Sequence, residues 1–183
     1  MQTFKLIPYP AGELPKIQVT GEIDQVENIL SLHYAIRGEA EDILLPAFSA
    51  PSRKDDLWKA TCFEFFIALP GSPEYWEFNM SPSSEWNAYR MDAYRQVNMR
   101  EETQICQLPF EFQKEDDGYS LDISVDLNPI ILPAQNIQVG VTAIIQTKDG
   151  NETYWALAHP GSQADFHLRE SFVLGVRSLP TSA

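Results

Sequence analysis

The stretch 61-TCFEFFIALPGSPEYWEFNMSPSSEWNAYRMDAYR-95 places acids and amides among many aromatic rings. Successive side chains of a strand point to opposite faces. Over residues 62–69 this puts Phe63, Phe65 and Ile67 on one side and Cys62, Glu64, Phe66 and Ala68 on the other. Over 75–80 it separates Trp76, Phe78 and Met80 from Tyr75, Glu77 and Asn79. The Pro70-Gly71-Ser72-Pro73 link has turn chemistry and predicts a hairpin. Glu64 then lies beside Asn79 or Glu77, so that one face is core and the other a polar platform. A third strand, 87–94, follows the Ser81-Pro82-Ser83-Ser84 turn. It brings Trp86, Asn87, Tyr89 and Arg90 near the acids, with Arg95 just beyond.

The same punctuation continues outward. Runs 16–24 and 28–37 alternate apolar and polar residues through Ile17, Val19 and Ile23 and through Leu30, Leu32, Tyr34 and Ile36. Further strands are predicted at 107–114, 119–126, 137–148, 153–159 and 171–176. Asp116-Asp117-Gly118, Asp149-Gly150-Asn151 and Pro160-Gly161-Ser162 mark turns between them. Only 52–59 (SRKDDLWK) has the character of a helical turn. Many short strands at near-regular spacing predict an all-β chain, an antiparallel β-sandwich with a barrel as the alternative. At 183 residues the chain is expected to form a single domain spanning 1–183.

Composition narrows the partners. Hydrophobic residues are 44% and charged residues 21%, an ordinary globular balance. Thirteen Lys and Arg face 26 Asp and Glu, for a net charge of −13. That field repels nucleic-acid phosphates and anionic lipid heads, and favours neutral or cationic partners. Two cysteines, Cys62 and Cys106, make no disulfide framework. No run of 18 apolar residues and no apolar signal region is visible. The expectation is a cytoplasmic, reducing location away from membranes.

Aromatic faces stack on the apolar faces of sugar rings, while carboxylates, amides and guanidinium groups bond the hydroxyls. The opening stretch therefore suits a carbohydrate. Against this stands the plainer reading that Glu64 pairs with Arg90 or Arg95 on a solvated sheet face. The order DDLW (55–58), TCFEFF (61–66) and YWEFNMSPSSEWNAYRMDAYR (75–95), continued by YWALAHPGSQADFHLRESFVL (154–174), resembles the DOMON-like domains related to family nine carbohydrate-binding modules. It is most similar to a bacterial subgroup associated with the cell-wall enzyme MurB.

That resemblance implies a β-sandwich that binds a ligand on its concave face or edge loops, sugars in the modules and haem in some DOMON members. It implies a sugar ring clamped between two tryptophans, Trp58 being one and Trp155 or Trp86 the other. With His159 these complete the candidate ligand-binding set: Trp58, Glu64, Glu77, Asn79, Trp86, Tyr89, Arg90, Arg95, Trp155 and His159. For haem it implies Met and His axial ligands from Met80, Met91, Met99, His33, His159 and His167. Met80, however, lies on the apolar side of its strand, and no cofactor is expected.

Asp165 between His159 and His167 invites a metal reading, but the spacing fits no compact motif, and histidines bonding a loop to the sheet are the commoner case. The pairs Asp55-Asp56 and Asp116-Asp117 read as solvated turns. Glu64 and Glu77 have the residue types of a glycosidase pair, yet no nucleophile elbow, zinc-protease helix, phosphate loop or dinucleotide fingerprint is present. A non-catalytic binding module is expected. The alternative is a structural or protein-interaction domain whose aromatics are all core, and buried tryptophans would favour it.

Overall fold

The fold, a computed structural model, is described for residues 1–95 and 99–177. Among these, twelve strands run in chain order: β1 (Gln2–Pro8), β2 (Ile17–Val26), β3 (Ile29–Gly38), β4 (Cys62–Ala68), β5 (Tyr75–Met80), β6 (Trp86–Met91), β7 (Arg100–Glu101), β8 (Phe110–Glu115), β9 (Gly118–Asp126), β10 (Asn136–Gln146), β11 (Glu152–Ala156) and β12 (Leu174–Arg177). All named pairings are antiparallel. None of the described helices is long and apolar enough to cross a membrane.

The strands form the two layers of a β-sandwich. One runs β1-β2-β3-β9-β8, the other β7-β6-β5-β4-β10-β11. Strand β1 joins them: Gln2 to Leu6 pair with β2, and Ile7 and Pro8 pair with β11. This strand was not foreseen, although Phe4 and Leu6 are its buried alternate positions. On one edge of β10, β12 pairs with Asn136 to Val139 and β11 with Thr142 to Gln146, while β4 occupies the other edge. The helical expectation over 52–59 shrinks to a single 3-10 turn at Leu57–Lys59.

The alternations of the sequence become the core. Val19, Ile23, Leu32, Tyr34 and Ile36 of one layer face Phe63, Phe65, Phe78, Val139 and Val141 of the other. Gly21 sits at a tight point of this core, where an added Cβ would fall 2.0 Å from the His33 carbonyl oxygen and 2.5 Å from the Phe4 ring. The Phe4 ring then meets Tyr34 edge-on at 5.7 Å. Tyr34 carries a polar tip through the core, its hydroxyl donating to the Glu64 carbonyl at 2.7 Å. That bond ties the first layer to the central strand of the second.

Trp86 and Trp155 belong to this core, 6% and 3% exposed. Trp86 stands opposite Met80, and the Arg53 guanidinium lies 4.4 Å above its ring. Trp155 stands opposite Ala143 and donates its indole N–H to Thr153 Oγ1 at 2.9 Å. Truncating either therefore opens a large cavity. Trp86→Ala and Trp155→Ala should each cost about 3 to 5 kcal/mol, read as the shift in urea midpoint at constant slope. A loss below about 1 kcal/mol would contradict this packing.

Candidate functional site

The outer face of the second layer is polar at its centre and is itself covered. Pairing places Thr142, Glu64, Asn79 and Asn87 in one row across β10, β4, β5 and β6. The adjoining row is Gly140, Phe66, Glu77 and Tyr89. All seven residues of β4 are buried, because residues 157–173 fold back over this side and lay Phe166 and Phe172 against Phe66, Tyr75 and Ile144. Gly140 makes room for that return, since a Cβ there would lie 2.8 Å from the Phe172 ring.

The covered row bonds to itself. Asn79 Nδ2 donates to Glu77 Oε1 at 2.7 Å, and Thr142 Oγ1 to Glu64 Oε2 at 3.2 Å. The Asn87 amide reaches Asp55, Tyr89 and Glu101, and the Tyr89 hydroxyl donates to Asp55 at 2.7 Å. Glu77 Oε2 is buried and has no hydrogen-bond partner. A buried acceptor without a partner is uncommon and costly in a folded protein.

A pocket of about 230 Å³ opens onto these acids. The half-buried Trp58 forms part of its wall, with Tyr154, Phe166, His167 and Arg95, and both Glu64 and Glu77 reach it from below. Trp58 projects from the Leu57–Lys59 turn and rests edge-on against Tyr89 at 5.9 Å. At the rim, Arg95 Nε and Nη2 bond the two oxygens of Asp165 at 3.1 Å each, and the Tyr94 hydroxyl adds a third bond at 2.7 Å. His167 Nδ1 meets the Tyr75 hydroxyl at 2.9 Å.

Five expected site residues thus gather here or support the floor: Trp58, Glu64, Glu77, Asn79 and Arg95, with Tyr89 bracing Trp58. Four do not. Trp86 and Trp155 lie in the core, on the opposite side of the layer. Arg90 is paired with Glu74 and lies 5.6 Å from the Trp76 ring. His159 bonds the Ile7 carbonyl at 2.9 Å and packs on Tyr9, which separates it from His167. The acids are not neutralised by Arg90 or Arg95, whose own partners are Glu74 and Asp165. The unforeseen contributors are Thr142, Tyr154, Phe166 and the inward role of His167; strand parity could have located only the first two.

Burial dominates the electrostatics. It pushes Glu64 well up, reinforced by the neighbouring Glu77 and opposed by Thr142. It raises Glu77 from 4.5 to about 7 against the lowering bond from Asn79. It lowers His167 from 6.5 to about 4, helped by the charge of Arg95, and it raises the Cys62 thiol. Near neutral pH Glu77 is therefore close to its titration midpoint, beside a neutral imidazole.

An acid raised in the folded state stabilises it fully below the unfolded value and loses that contribution as pH rises through the folded one. His167, lowered on folding, acts in the opposite sense between about 6.5 and 4. Above about 6.5 the opposing histidine contribution is complete, so stability should fall as pH rises through about 7, the folded value of Glu77. Glu77→Gln should flatten that upper slope in urea melts taken across the range; an unchanged slope would place the titration elsewhere.

No protein-family model matches the sequence, and no curated protein matches it. Solved structures do. A protein of Bacteroides uniformis, provisionally described as carbohydrate-binding, superposes with a TM-score of 0.72 at 11% identity, over 97% of this chain and 86% of that one. A family 9 carbohydrate-binding module of Caldicellulosiruptor kristjanssonii, in complex with cellotriose, gives 0.59 at 11% identity, over 99% and 84%. Its glucose complex gives 0.55 at 10%, over 93% and 81%. At such identities the likeness shows the fold: the chain has the sandwich architecture of carbohydrate-binding-module structures.

Proposed function

We propose that this chain is a non-catalytic module that binds one sugar ring in the Trp58 pocket. The observation that carries the reading is Glu77 Oε2, a buried acceptor without a partner at the base of a pocket walled by an accessible tryptophan. A carbohydrate offers both complements, an apolar ring face for the indole and hydroxyl donors for the acid. The glucose and cellotriose carried by the structural neighbour support the same class of ligand. At about 230 Å³ the pocket is smaller than drug-sized sites, which span roughly 300 to 1,000 Å³, and suits a single ring. The charge of −13 favours neutral over anionic sugars.

Glu64 and Glu77 rise from the same floor, on adjacent strands, and do not flank a ring from two sides as glycoside hydrolysis requires. This supports binding without catalysis. Haem fits the pocket poorly: Met99 and His167 both line it, but its volume is small for a macrocycle and Met80 and Met91 are buried elsewhere. With this function we propose kinship to the DOMON-like domains, on the quoted motifs, and a reducing cytoplasmic location, in keeping with free Cys62 and Cys106.

Titration of the protein with a panel of neutral and acidic sugars, glucose and cellotriose among them, should give saturable tryptophan quenching for a neutral member. Trp58→Ala should weaken that binding by about tenfold or more while costing about 1 kcal/mol or less of stability, because a wall residue leaves no closed cavity. A panel without any binder, or a variant that binds normally, would return the aromatic cluster to a structural or protein-interaction role.

A further inference from the structure

Two groups at the base of the pocket approach each other without bonding. His167 Nε2 lies 4.0 Å from Glu77 Oε2, beyond hydrogen-bond reach, and the side chains are 26% and 5% exposed. Both line the pocket. The other oxygen of Glu77 takes the Asn79 amide, and the other ring nitrogen of His167 takes the Tyr75 hydroxyl. A phenol O–H is a stronger donor than a neutral imidazole N–H, which directs the hydroxyl proton to Nδ1 and assigns the imidazole proton to Nε2.

A donor and an acceptor therefore face each other on two residues that line one cavity, held from behind by Tyr75 and Asn79. A hydroxyl oxygen about 2.8 Å from each would see the two at about 90°, compatible with its donor and lone-pair directions. An ammonium has no lone pair for Nε2–H. A carboxylate has no proton for an ionised Oε2. The stacking surface of Trp58 accepts many rings, whereas a polar pair of this kind penalises a ligand that leaves it unmatched.

We propose that Glu77 in its ionised form and His167 together read one hydroxyl of the bound sugar, Oε2 accepting and Nε2–H donating, and so determine which sugars the site retains. The inference rests on the carbohydrate reading of the pocket. It makes His167 a specificity residue and Tyr75 the group that fixes its tautomer.

Calorimetric titration of the full chain with glucose and with its analogues lacking each hydroxyl in turn separates the two levels of argument. One analogue should bind about 10- to 100-fold more weakly than glucose, the others within about threefold. In His167→Ala the selective penalty should shrink to about threefold or less, and His167→Gln, which keeps an N–H donor, should recover part of it. Thermal melts of both variants verify that they are folded. Equal affinity for all analogues in the wild type, or selectivity retained in both folded His167 variants, overturns the hydroxyl-reading pair while leaving sugar binding intact. Failure of the wild type to bind glucose or any panel sugar instead overturns the carbohydrate reading, and this inference with it.

Discussion

Strand β4 is paired on both edges and covered on both faces, and the rest of the molecule is arranged around that constraint. A strand buried on two sides ordinarily carries apolar residues throughout. This one carries Glu64, and its neighbour β5 carries Glu77 and Asn79 on the same side. Desolvated carboxyls must be protonated, hydrogen-bonded or both. The cross-strand row Thr142, Glu64, Asn79 and Asn87 supplies much of that bonding, and the Tyr34 hydroxyl holds the Glu64 carbonyl from across the core. The cover over the acids depends in turn on Gly140, which admits the Phe172 ring, and on the tie between Arg95 and Asp165 at the rim.

Much of this was legible because a strand's period is two. The alternations over 62–68 and 75–80 assign core and platform faces, and the Pro-Gly-Ser-Pro turn predicts the hairpin with Glu64 beside Asn79 or Glu77; the register found pairs Glu64 with Asn79. The same rule explains the misassigned residues. Trp86, Asn87, Tyr89 and Arg90 cannot share a face: Asn87 and Tyr89 point to the platform, while Trp86 follows its partner Met80 into the core and Arg90 follows Trp76. Trp155 is likewise carried inward with Ala143. Reading tryptophans as clamp residues overrode the parity that placed them.

Other features had no periodic signal to read. Residues 157–173 lack an alternating pattern, so their return over the sheet, which delivers Phe166 and His167 to the acids, emerges only in three dimensions. Strand β1 alternates but lies between a chain end and a proline-rich segment, and its role in joining the layers depends on β11, far away in sequence. Of the three tryptophans considered for a sugar clamp, Trp58 alone remains accessible at the pocket. Tyr154 and Phe166 line that pocket with it, so the aromatic surface is assembled from side chains on separate segments rather than from two indoles.

The unpartnered oxygen of Glu77 gives this face its character. Its sister oxygen is satisfied by Asn79, Glu64 has Thr142, and the rim charges Arg95 and Asp165 satisfy each other. A fold that needed only to bury this side of the sheet would gain by an apolar residue at position 77, because a buried acid without a full set of partners lowers stability. Local departures of this kind, in an otherwise consistent structure, concentrate where a protein meets a ligand. The departure here is an oxygen of a residue that lines a cavity, on a strand paired along both edges. On those conditions we propose a binding position at this oxygen rather than a packing defect.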